Sequence, residues 1–107
     1  MAVRLDTIDI YRSGPLTVVG FGKRNALDVS VVACQNELAK TMRESNCHTL
    51  AVDLTNVRLV ASGMLGVFAS IQRRGVRVLL FNPSADLVDV LEITKLDRLL
   101  PTHYVEL

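Results

Sequence analysis

The 107-residue sequence predicts a single α/β domain over residues 1–107. Its sheet should be mixed, an N-terminal hairpin followed by parallel βαβ units, with the helices packed on it. Three observations predict this. Half of the residues are apolar, enough for one real core and too many for a disordered chain. Two near-continuous apolar runs, Thr49–Leu54 and Val76–Phe81, read as strands buried in the middle of a sheet. Segments with helical spacing of apolar residues alternate with these runs, the pattern of strand–helix–strand units with right-handed crossovers.

Each element follows from local patterning. Val3 to Tyr11 alternates apolar or β-prone residues (Val3, Leu5, Thr7, Ile8, Ile10) and predicts one strand. Ser13-Gly14-Pro15 is a turn, and Leu16 to Phe21 is a second strand, which makes the hairpin. Gly22 to Asn25 breaks the pattern. Asp28 or Ser30 then caps a long helix to about Ser45, with Val31, Cys34, Leu38 and Met42 as its stripe. After the strand Thr49–Leu54, a second helix runs from Ser62 to about Arg74 on the stripe Met64, Val67, Phe68 and Ile71. Gly75 fits a left-handed C-terminal cap. After Val76–Phe81, Asn82-Pro83-Ser84 turns the chain, and Ser84 caps a third helix with Leu87, Val90 and Leu91 inside. Pro101 stops the last helical segment, leaving room for a short edge strand.

The bulk numbers exclude several functions. A net charge of +1 with interspersed signs offers no general attraction to nucleic acid or anionic membranes. No apolar run approaches the roughly 20 residues of a membrane span, and the N-terminus lacks the apolar core of a signal peptide. A soluble, cytoplasmic chain without membrane insertion is expected. Cys34 and Cys47 show no CxxC spacing, and His48 and His103 are not at metal-ligand spacing. No cofactor and no metal are expected.

In open α/β sheets, ligands and partners meet the carboxyl ends of the parallel strands. Three loops fall there: Gly22–Asp28, Thr55–Ser62 and Asn82–Ser84. Ser62 sits at the tip of the middle loop, where its hydroxyl can accept a bond from a first-turn amide. Gly63 and Gly66 keep that turn slim. A phosphate on Ser62 would be tolerated by the helix start, since free amides and the dipole favour anions. Two roles stay open on spacing alone: a helix cap, or a hydroxyl presented for use.

The stretch from Ala51 to Pro101 resembles the STAS domain, shared by sulfate transporters and bacterial anti-sigma factor antagonists. The matches are Val52-Asp53-Leu54, Ser62, Leu65-Gly66, Asn82-Pro83-Ser84, Leu91 and Leu96-Asp97-Arg98-Leu99. Their order and spacing carry the resemblance, and the hairpin and long helix extend it over nearly the whole chain. It implies a binding module of the anti-sigma factor antagonist type rather than an enzyme. It also implies an anti-sigma factor or serine/threonine kinase-like partner, and Ser62 as phosphoacceptor. The implied partner-binding residues are Asn25, Val60, Ala61, Ser62, Gly63 and Met64. Several positions depart from the family pattern, among them Gly63-Met64, which stand where Ser-Gly usually follows the acceptor. The aspartate common before the acceptor is Ala61, and a carboxylate common upstream becomes Asn25 if Gly22-Lys23-Arg24-Asn25 aligns with G-x-L-D. Lys23 and Arg24 add positive charge nearby.

Those departures keep a second reading open: an unphosphorylated scaffold or self-assembling module, homodimer included, with Leu59, Val60 and Met64 as an apolar docking patch. A small enzyme is a third reading. Its only candidate groups are Cys47, His48, Asp53 and His103. "GFGKRN" offers only an incomplete dinucleotide signal.

Overall fold

The computed structural model describes residues 3–105. The strands are β1 (Val3–Arg4), β2 (Asp9–Arg12), β3 (Leu16–Gly20), β4 (Thr49–Asp53), β5 (Arg77–Phe81) and β6 (Thr102–His103). The helices are α1 (Val31–Ser45), α2 (Ser62–Arg73) and α3 (Ala85–Ile93), with 3₁₀ turns at Ala26–Asp28 and Leu96–Arg98. One six-stranded sheet contains all the strands in chain order, β1-β2-β3-β4-β5-β6. The first three pair antiparallel, and β3 to β6 run parallel. This is the mixed α/β sheet that the sequence predicts.

The parallel centre forms where the apolar runs lie. In each strand the inward set (Val19; Leu50 and Val52; Val78 and Leu80) is almost fully buried. It meets Leu38 of α1, Met64 and Phe68 of α2, and Leu87 and Leu91 of α3 in one core cluster. The expected stripes thus face the core, with Val31, Met42 and Val90 at its margin. Both cysteines are free thiols. Burial, and then the nearby Glu37 carboxylate, raise the Cys34 thiol above its ordinary value of 9.0.

The N-terminal region differs from expectation. Val3–Tyr11 is two short strands rather than one, because the chain folds back at Leu5–Ile8, where the Leu5 amide donates to the Ile8 carbonyl at 2.8 Å. The turn puts Ile8 into the core and lets the Thr7 amide donate to Glu37 Oε1 at 3.1 Å. Arg24, far along the chain, stabilises it: its guanidinium donates to the Leu5 and Asp6 carbonyls and pairs with Asp9 at 2.8 Å. Alternation alone carries no signal for so distant a contact.

The helix ends follow local chemistry. Ser30, not Asp28, caps α1, its Oγ accepting from the Ala33 amide at 3.2 Å. Asp28 belongs to the preceding 3₁₀ turn. After α2, Gly75 adopts φ +99°. Its amide donates to the Gln72 carbonyl and that of Val76 to Ile71, a Schellman ending for which glycine pays no Cβ penalty. The short strand expected after Pro101 is β6, beside β5. Among the described residues, no helix is long and apolar enough to cross a membrane.

Candidate partner-binding site at the carboxyl edge of the sheet

The loop from Leu54 to Ala61 carries the start of α2, and side chains from two neighbouring segments hold it. Asp53 Oδ1 accepts from the Thr55 amide at 3.0 Å and from its hydroxyl at 2.7 Å. Thr55 Oγ1 in turn accepts from Asn82 Nδ2 at 3.0 Å. Asn82 Oδ1 takes the amide of Val105 at 2.8 Å, so one asparagine joins the loop to the C-terminal segment. Further along, the Arg58 carbonyl accepts from Ser84 Oγ, while Val57 and Val60 are buried in the core. The exposed Arg58–Asp86 ion pair, 2.7 Å long, adds little, since such pairs are worth about 0–1 kcal/mol. Asp53 does sit at a strand end and meet a loop amide, as its place in the sequence suggests. The Thr55–Asn82 link leaves only faint signals in the sequence. They are the Asp-x-Thr spacing at Asp53 and an asparagine at a strand end before proline.

This loop delivers Ala61, not Ser62, to the N-cap of α2, and no side-chain bond caps the helix. Ser62 is the first helical residue and is exposed. Its expected use as a cap is therefore corrected: at that position its hydroxyl lies one residue past the place from which a side chain reaches back to the first-turn amides. The Met64 amide donates to the Ala61 carbonyl at 2.9 Å. The amides of Ser62 and Gly63 have no intrahelical acceptor, and the positive end of the helix dipole lies there.

The other expected partner-binding residues separate into surface and core. Gly63 is exposed and Ala61 half-buried. Val60 and Met64 are at most 7% exposed and belong to the core cluster, so their side chains are closed to a partner and the patch expected of Leu59, Val60 and Met64 is not formed. The cause is periodicity: on α2, Met64 faces the sheet with Phe68 and Ile71, and the loop folds Val60 under the same helix. Apolar surface near the α2 start comes instead from the adjoining α1 region. Val31 lies 3.4 Å from where a Gly63 Cβ would be, and Leu27 and Val32 are 51% and 67% exposed.

Asn25 is exposed in the loop after β3, next to the loop after β4, and its Oδ1 caps the 3₁₀ turn by accepting from the Leu27 amide at 3.1 Å. Arg24 does not contribute free charge to the site, being committed to Asp9 and to backbone carbonyls, including that of Phe21 at 3.1 Å. Lys23 stays exposed.

The enzyme candidates are not assembled. Cys47 and His48 precede β4, whereas Asp53 ends it, roughly 17 Å from His48 at about 3.3 Å per residue. Cys47 Sγ donates to the Thr49 carbonyl at 3.3 Å. His103 stacks on Phe81, ring centroids 5.5 Å apart, with β5 between it and Asp53. The glycines of "GFG" make no phosphate cradle either: Gly20 is buried under the Tyr11 ring, and exposed Gly22 lies beside the Asp9 carboxylate, which repels an anion. Among the described residues, no group of three or more His, Cys, Asp or Glu side chains is placed to hold a metal ion.

Residues 23–106 match the STAS domain family. The chain belongs to that family. The fold of this STAS domain is similar to that of the protein TM1081, solved by NMR, with a TM-score of 0.74 over 90% of this chain and 79% of that one, at 17% identity. At that identity the likeness speaks for fold alone. No curated protein matches the chain.

Proposed function

We propose that this STAS domain is a non-enzymatic, cytoplasmic regulatory module of the anti-sigma factor antagonist type. It binds an anti-sigma factor or serine/threonine kinase-like protein at the start of α2, and phosphorylation of Ser62 switches that binding. The observation that supports this best is the uncapped helix start, where Ser62 is exposed, unused as a cap and held on a braced loop. A partner would meet Ala61, Ser62, Gly63 and the exposed Gly66 on α2, with Asn25 and Leu27 alongside. A phosphoryl group adds about −1.5 to −2 charge, which the helix start accommodates but which a partner surface matched to a neutral serine does not.

Titration of wild type, Ser62→Ala and Ser62→Asp against the cognate anti-sigma factor tests the switch. Ser62→Ala is expected to bind as wild type does and Ser62→Asp about tenfold more weakly or worse, a loss of 1.4 kcal/mol or more. Undiminished affinity of Ser62→Asp would overturn the switch. Gly66→Arg tests the surface itself: no heavy atom lies within 4 Å of a Cβ placed there, so the fold accepts the change while a docked partner does not.

Ala61 favours a second reading, in which the domain binds without modification. A kinase that reads a carboxylate beside its acceptor finds a methyl group here. Mass spectrometry of the protein from its own host separates the two, because stoichiometric phosphoserine at Ser62 excludes the unmodified version.

A further inference from the structure

The sheet advances in one direction only. From β3 through β6 each crossover steps to the next strand on the same side, and right-handed crossovers taken in one direction place α1, α2 and α3 on one face. Among the described residues, no helix lies on the opposite face, although parallel sheets are ordinarily covered on both sides. Its side chains lie outside the core cluster: half-buried Val18 and Leu79 flank Ala51, itself only 5% exposed, in register across three strands, with half-buried Phe81 beyond them. Tyr11, 41% exposed, lies over Gly20, where a Cβ would come 2.7 Å from its ring.

Charge on this face is polarised along the strands. Arg77 stands at their amino end, in register with Leu16 and Thr49, and Arg12 pairs with Val18. Asp53 stands at the carboxyl end, in register with Gly20 and Phe81. Asp9 lies at that end too but is paired with Arg24, which leaves Asp53 as the carboxylate of that end; burial and then the two carboxylates raise the Tyr11 hydroxyl above its ordinary 10.0.

We propose that this face pairs with the same face of a second copy to form a reversible, two-fold homodimer. A two-fold axis lying between the sheets and running roughly across the strands sets each amino end against the other's carboxyl end. Arg77 of each copy then faces the Asp53 end of its partner, and the Val18–Ala51–Leu79 rows meet in the middle. An isologous contact needs a self-complementary surface, and this arrangement supplies one. Six strands about 4.8 Å apart and five residues at about 3.3 Å give a face on the order of 400 Å² in projection. A standard interface takes roughly 800 Å² per partner, so the dimer exchanges with monomer rather than being obligate. The start of α2 lies with the helices on the other side, and the proposal does not depend on the role of Ser62.

Sedimentation velocity of the whole protein from micromolar to millimolar concentration tests it, with amide shifts on dilution to locate the contact. The expected result is a mass rising from 11.8 kDa toward twice that, with shifts confined to β3, β4, β5 and Tyr11. Leu79→Lys should weaken association about tenfold or more, and the exposed Arg77→Glu several-fold, with circular dichroism verifying the fold of each. Raised salt should weaken wild type and leave Arg77→Glu less affected. Ser62→Asp should dimerise as wild type does, even if it loses its regulatory partner. A monomer at every concentration would overturn the proposal. So would a dimer untouched by both sheet variants, or one whose shifts map to α1 and α2.

Discussion

All three helices of this domain have a serine at or beside their first residue, but only two of those serines work for the helix. Ser30 caps α1 and Ser84 caps α3, each accepting a first-turn amide, at 3.2 and 3.0 Å. Ser62 sits one residue further in, behind Ala61, and α2 starts without a side-chain cap. The shift of one residue changes a structural hydroxyl into an accessible one. The cost is about 1 kcal/mol of capping that α2 forgoes, offset by the burial of Met64, Leu65 and Phe68 directly after it.

That comparison can be broken by substitution. The largest effect is expected for Ser84→Ala, which removes the α3 cap and leaves the Arg58 carbonyl without its donor. A loss of about 2 kcal/mol should appear in urea unfolding at constant slope. Ser30→Ala loses one cap bond only and should cost about 1 kcal/mol, or about 4–8 °C in Tm. Ala61→Asp should move the other way. The Ala61 backbone has the extended geometry of an N-cap (φ −59°, ψ 143°), so a carboxylate there can take a first-turn amide and gain about 0.5–1 kcal/mol. The same variant restores an acid beside Ser62, and a faster Ser62 phosphorylation by the cognate kinase would show that the kinase reads that position. The smallest effect is expected for Ser62→Ala, within about 0.5 kcal/mol of wild type. A loss near 1 kcal/mol there would mean that the serine caps after all.

The same serines show what sequence reasoning reaches. Caps at Ser30 and Ser84 are local chemistry, as is the turn at Gly75, and the runs Thr49–Leu54 and Val76–Phe81 announce a buried parallel centre through hydrophobicity alone. The offset at Ser62 is not local. It depends on how many residues the loop spends in tucking Val57 and Val60 beneath α2 and in meeting Asn82 and Ser84, which arrive some twenty-five residues later. Val60 and Met64 looked available for docking because an apolar residue next to a candidate site reads the same whether it faces out or in. The break in the first strand was hidden for a similar reason, since Arg24, which holds that turn, belongs to another segment.

The strand order also has a consequence for how the chain reaches its native state. Every strand pairs with its immediate predecessor, so no strand waits for a later one to fill a gap beside it. A chain emerging from the ribosome can add β3, β4, β5 and β6 one at a time, each closing only the short loop through its own helix, and loop entropy is paid in small steps. Folding can therefore follow synthesis, with the two-residue β1 forming one edge from the start and the growing edge left unpaired until the two-residue β6 ends it.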